Sequence, residues 1–85
     1  MRDVIFVIKG KLRKSILTFL RDKPKTGKRL SKELGKHLTS VSRTLLELEK
    51  KRYISCINPD DDRHRYYKIT NKGESSLNKI LELEK

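Results

Sequence analysis

The stretch KRLSKELGKHLTSVSRTLLELEKKRYISCI, Lys28 to Ile57, decides how this chain folds. It reads as a short helix, a turn at Gly35, a longer helix from about Leu38 to Lys51, and a β-branched and aromatic run that opens a basic hairpin. In the short helix Leu30 and Leu34 are four residues apart and share a face. At about 100° per residue the longer helix separates into two sides. Leu38, Val41, Leu45 and Leu48 gather on one and are expected to pack inward. Thr39, Arg43, Leu46 and Lys50 gather opposite them, flanked by Ser40, Ser42 and Glu47.

Upstream, Leu12, Ile16, Leu17, Phe19 and Leu20 recur at helical spacing from Lys11 onward. That helix should end near Arg21 or Asp22, because Pro24 drives Lys23 out of the helical region. Gly10 marks a break before it, and Val4, Ile5, Val7 and Ile8 fit a short strand or a helical turn equally well. Lys25 to Lys28 forms a turn around Gly27, with Thr26 in a very short strand, and the second helix begins near Lys28. Downstream, Tyr53–Ile57 and Arg65–Ile69 pair as a hairpin around the loop Asn58–His64, with Tyr67 and Ile69 inward and Tyr66 outward. Thr70 is a good N-cap for a last helix over about 71–84, whose apolar stripe is Leu77, Ile80, Leu81 and Leu83.

With 85 residues the chain forms a single domain, and a second independent core will not fit. Apolar residues make up 34% and charged residues 39%, so either the core is economical or a second copy completes it. The net charge of +11 is unevenly placed: residues 1–40 carry 12 Lys/Arg against 3 Asp/Glu, and residues 41–85 carry 10 against 8. A surface laced with ion pairs would mix the signs. Between Lys9 and Lys36 the cations face only Asp22 and Glu33, which points instead to a phosphate-rich partner. The lone Cys56 forms no internal disulfide, which makes an intracellular setting the default, and it is expected to pack as a small hydrophobe. Val4 to Ile8 is too short for a signal-peptide core or a membrane span. No phosphate-binding loop, zinc motif or nucleophile arrangement appears, so neither an enzyme nor a cofactor is expected. Asp60, Asp61 and Asp62 carry oxygen ligands suited to Mg²⁺ or Ca²⁺, but neighbours on a hairpin tip rarely converge, and no metal is expected.

The segment LSKELGKHLTSVSRTLLELEKKRYI resembles the winged helix-turn-helix superfamily, in which L-x-x-x-L-G precedes V-S-R-x-L-x-x-L-E. The ending CINPDDDRHRYYKITNKG is similar to the wing of MarR-like and ArsR-like regulators, particularly small archaeal ones. The resemblance covers about Lys11 to Gly73. It implies a mainly α fold with a three-helix core, a β-wing over about 53–69 and a C-terminal helix. It also implies that the helix over 38–51 enters the major groove of DNA while the wing touches backbone or minor groove. His37 stands where such families often have serine; it is a weaker cap, and its ring could instead touch a phosphate.

Base contacts are then expected from Thr39, Ser40, Ser42 and Arg43. Arg43 could instead clamp a phosphate or pair with Glu47 one turn away. Thr39 and Ser40 could equally cap the helix start, and Leu46 could meet a thymine methyl, pack beneath the wing or face a partner. Phosphate contacts are expected from Lys28, Arg29, Lys32, His37, Lys50, Arg63 and Arg65. The aspartates beside Arg63, His64 and Arg65 either fold back on the arginines or turn the tip away from DNA. A homodimer is expected through Val4, Ile5, Ile8, Leu77, Ile80 and Leu81, unless those stripes pack within the monomer. The combined expectation is a cytoplasmic, nucleoid-associated, sequence-specific regulator that binds double-stranded DNA, with no membrane and no small-molecule ligand. The alternatives are a winged-helix module for protein or RNA, and an architectural DNA-binding protein.

Overall fold

The computed structural model describes residues 5–7 and 9–84. After a helical turn at residues 5–7 come α1 (Lys11–Asp22), β1 (Lys25–Thr26), α2 (Gly27–Leu34), α3 (Leu38–Lys50), β2 (Ile54–Cys56), β3 (Tyr66–Ile69) and α4 (Asn71–Leu83). Of the two conformations open to the N-terminal run, residues 5–7 take the helical one; Val4 and Ile8 lie outside the described residues. α1 stops where Lys23, extended at φ −167°, leads into Pro24. β1 holds only two residues, yet it completes a sheet: Lys25 pairs with Tyr67 and Thr26 with Tyr66, while β2 pairs with the other edge of β3. The order is therefore β1-β3-β2, with both pairings antiparallel.

α2 begins one residue earlier than expected because Thr26 caps it, its hydroxyl accepting from the Arg29 amide at 3.1 Å. It ends at Gly35, whose left-handed φ of 64° turns the chain sharply toward α3. α3 ends with Arg52 in the same left-handed region, at φ 66°, and Tyr53 N–H donates back to Leu48 O at 2.9 Å. Glycine more often fills such a position.

Ile16, Leu17 and Leu20 of α1 meet Leu30 of α2, Val41, Leu45 and Leu48 of α3, and the sheet residues Ile54 and Tyr67. Two expectations about this core need correction. Leu38 does not pack inward: as the first residue of α3 it lies beside Gly27 at the rim and stays 49% exposed, while Thr44 is buried and bonds Ser40 O at 2.9 Å. Leu77 and Ile80, assigned above to a dimer face, are fully buried inside the monomer, because α4 packs back onto α1. Ile5, Leu81 and Leu83 remain exposed.

Three local arrangements tie the elements together. Lys25 is almost fully buried, and its Nζ meets Glu33 Oε1 at 2.7 Å and Oε2 at 3.1 Å, fastening β1 to α2. The Lys25 hydrogen bond holds the Glu33 carboxyl below its ordinary value; partial desolvation opposes this and the charges of Lys25 and Arg29 reinforce it. Arg13 links the N-terminal turn to α3, with Nη1 donating to Phe6 O at 2.8 Å and Nη2 lying 3.1 Å from Glu47 Oε2. Tyr53, fully buried, stacks on Phe6 with ring centres 5.7 Å apart. Its carbonyl accepts from Thr70 N at 3.0 Å and lies 2.9 Å from Thr70 Oγ1. Thr70 in turn caps α4 as expected, accepting from Gly73 N at 3.1 Å.

Candidate nucleic-acid interface

Burial of Val41, Thr44, Leu45 and Leu48 turns the rest of α3 outward. Thr39, Ser40, Ser42, Arg43, Leu46, Glu47 and Lys50 are all exposed. Thr39 and Arg43, four residues apart, share the outward face. The alternative pairing of Arg43 with Glu47 does not form, because Glu47 is held by Arg13. Among the described residues Arg43 makes no ion pair. His37 occupies the N-cap position of α3 without a side-chain capping bond, so its exposed ring is not committed to the helix end.

The wing is ordered by two of its own side chains. Asn58 Oδ1 accepts from Tyr66 N at 2.7 Å, and its Nδ2 donates to His64 O at 2.6 Å, closing the base of the loop. Asp61 Oδ1 accepts from the backbone amides of Arg63 and His64, both at 2.9 Å, closing the tip. Of the three aspartates, Asp61 therefore folds back on the backbone of Arg63 and His64 rather than on a guanidinium, and the Arg63 side chain stays exposed. Arg65 is different: it is half-buried, and its Nη2 donates to Pro59 O at 3.2 Å.

The His64 and Arg63 amides hold the Asp61 carboxyl below its ordinary value of 3.8, partial desolvation opposing. A depressed folded-state value means that the stabilisation is complete above about 3.8 and is lost as pH falls through the lowered value. Asp61→Ala should speed hydrogen exchange at the Arg63 and His64 amides near neutral pH. Asp61→Asn, which keeps an acceptor oxygen, should leave it nearly unchanged; equal exchange in both variants would count against this role.

An open cleft of about 440 Å³ runs between the start of α2, α3 and the wing. Gly27 and Lys28 of α2, Leu38, Ser42, Leu45 and Leu46 of α3, Asp62, Arg63, His64 and Arg65 of the wing, and Tyr67 of β3 line it. Of the residues expected from sequence, the cleft gathers Lys28, Ser42, Arg63 and Arg65. Arg29 lies apart, on a smaller cleft of about 290 Å³ with Pro24 and Tyr66. Lys50 is at the far end of α3 beside Phe6 and Lys51, and Lys32 is exposed on α2. Sequence reasoning missed Leu38 as a wall of this cleft, and Asn58 and Asp61 as organisers of the wing. The Asn-Pro step and the aspartates after it were the available signal, since both residue types close turns on neighbouring amides. Asp60, Asp61 and Asp62 do not converge, and among the described residues no cluster of histidine, cysteine or carboxylate groups is suited to a metal ion. Among the same residues no helix is long and apolar enough to cross a membrane.

A sheet edge that receives β1, a tight α2–α3 turn and a hairpin flanking the exposed face of α3 define a winged helix-turn-helix. Solved structures carry the same fold. The transcriptional regulator Tm0710 from Thermotoga maritima superposes with a TM-score of 0.74 over 86% of this chain, at 28% identity. The adhesin competence repressor AdcR from Streptococcus pyogenes superposes with a TM-score of 0.76 over 88% of the chain, at 18% identity. The matched parts are 52% and 57% of those proteins, so the chain spans little more than half their length. No family model matches the sequence, and no curated protein matches it.

Proposed function

We propose that this chain binds double-stranded DNA in a sequence-dependent manner, as a transcriptional regulator of the MarR-like or ArsR-like kind. The observation that carries the reading is the exposed Thr39–Arg43 face of α3, unobstructed by ion pairing at Arg43, beside a cleft on the same helix that Lys28 and Arg63 line together with Ser42 and Leu46. Two similar folds belong to proteins described as a transcriptional regulator and a repressor, which supports the same direction. In this reading α3 enters the major groove, and Arg43, with Thr39, Ser40 and Ser42, contacts base edges. Lys28, Arg29, Lys32, His37, Lys50, Arg63 and Arg65 contact phosphates. Exposed Ile5 and Leu81, with Leu83 two residues after Leu81, are the residues left for contact with a second copy. No catalytic role belongs to this reading, and the site of action is the nucleoid.

Selection of bound duplexes from a random library tests it: a recurring sequence is the expected outcome, and a palindrome in it would support a two-fold dimer. Arg43→Ala should then weaken binding to the preferred duplex roughly 10- to 100-fold and flatten the preference at one base position. A uniform loss across all sequences would mark an architectural protein instead. Leu46 and Glu47, exposed on the same face, favour a second reading as a protein or RNA module. Tighter binding of single-stranded RNA than of duplex DNA at matched salt would establish it.

A further inference from the structure

Leu38, Ser42 and Leu46 recur every fourth residue, so they form one stripe along α3, on the side that faces the wing. The stripe is strongly apolar at both ends and open, with Leu38 49% and Leu46 58% exposed. Leucines at such positions normally find cover inside a fold. Here the cleft keeps them uncovered, and its charged lining is cationic on balance: Lys28, Arg63 and the half-buried Arg65 outnumber the one carboxylate, Asp62. An apolar wall beneath cations suits a ligand with apolar groups set between anions. In the major groove of duplex DNA that description fits the thymine C5-methyl, which projects toward the groove between two phosphate backbones.

We propose that this leucine stripe reads thymine methyl groups, with Leu46 the principal contact and Leu38 the second. The inference rests on the DNA-binding reading and adds a base class to it: Arg43 sets a hydrogen-bonded position, and the leucines set apolar ones beside it. Leu38 and Leu46 are eight residues apart, about 12 Å along the helix axis. At about 3.4 Å per base pair, the two methyl-sensitive positions should lie no more than about four steps apart. Ser42, between them, is short enough to leave the stripe open and carries a hydroxyl for the intervening base edge.

The duplex pool that the wild-type protein selects provides the probe, synthesised either with thymine or with deoxyuridine in its place, which removes only the methyl. Wild type should bind the deoxyuridine duplex about fourfold more weakly for each methyl contacted. Leu46→Ala should lose most of that difference, and Leu38→Ala part of it, with circular dichroism confirming that both variants fold. If wild type binds the pool but ignores the methyl, or if Leu46→Ala keeps the full methyl dependence, the leucine assignment is wrong while DNA binding stands. If no duplex is bound even at low salt, both readings fall together.

Discussion

Gly73→Ala should lower the stability of the fold by about 3 kcal/mol, and the thermal midpoint by roughly 15 °C. Gly73 is buried in the first turn of α4, and its amide bonds the Thr70 hydroxyl. A Cβ there would fall well inside van der Waals contact of Tyr53 O and 2.7 Å from Ile69 Cγ1. The first of these is backbone and cannot step aside cheaply, because the same carbonyl is bonded by Thr70 N at 3.0 Å. Relief requires α4 to lift from the sheet, and that would uncover Leu77 and Ile80. Thermal or urea unfolding of the variant measures the loss. A midpoint within a few degrees of wild type would mean that the approach of α4 to Tyr53 is looser than described.

Raising monovalent salt from 50 to 200 mM should weaken duplex binding by two to three orders of magnitude. Six permanently charged side chains are assigned to phosphates: Lys28, Arg29, Lys32, Lys50, Arg63 and Arg65. Two of these are partly committed within the protein, Arg29 lying 3.5 Å from Glu33 Oε1 and Arg65 bonding Pro59 O at 3.2 Å. About four to six counterions are then released on binding, giving a slope of log affinity against log salt of about −4 to −5. Lys28→Ala and Arg63→Ala should each reduce that slope by about one and leave the selected sequence unchanged. A slope shallower than about −2 would show that phosphate contact does not dominate the interaction.

The helices were legible because their signals are local. Pro24 ends α1, Gly35 ends α2 and Thr70 starts α4, each through the conformation of one residue. Tyr66 and Tyr67 followed the alternation of a strand, one 43% and the other 7% exposed. Periodicity fails at element ends, where a residue can satisfy the pattern and still have nothing above it. Leu38 is such a case: its wheel position matches Val41 and Leu45, but as the first residue of α3 it lies at the rim beside Gly27 and stays 49% exposed. The same limit applies to α4, whose apolar stripe announces burial without saying whether its cover is the chain itself or another copy. Leu77 and Ile80 turned out to be covered from within. Of the candidate site, the exposed face of α3 was readable from sequence. The partner of Glu47 was not, because Arg13 is 34 residues away and no local pattern relates the two.

The wing also bears on how fast a partner is engaged. Ordering a backbone residue costs about 1–2 kcal/mol in entropy, and the loop from Asn58 to His64 would incur several times that if it ordered only on contact. Its internal bonds, two made by Asn58 and two by Asp61, meet that cost when the protein folds. If the chain binds duplex DNA as proposed, association should need no rearrangement of the hairpin, and its rate should follow diffusion and long-range attraction to the cationic first half of the chain.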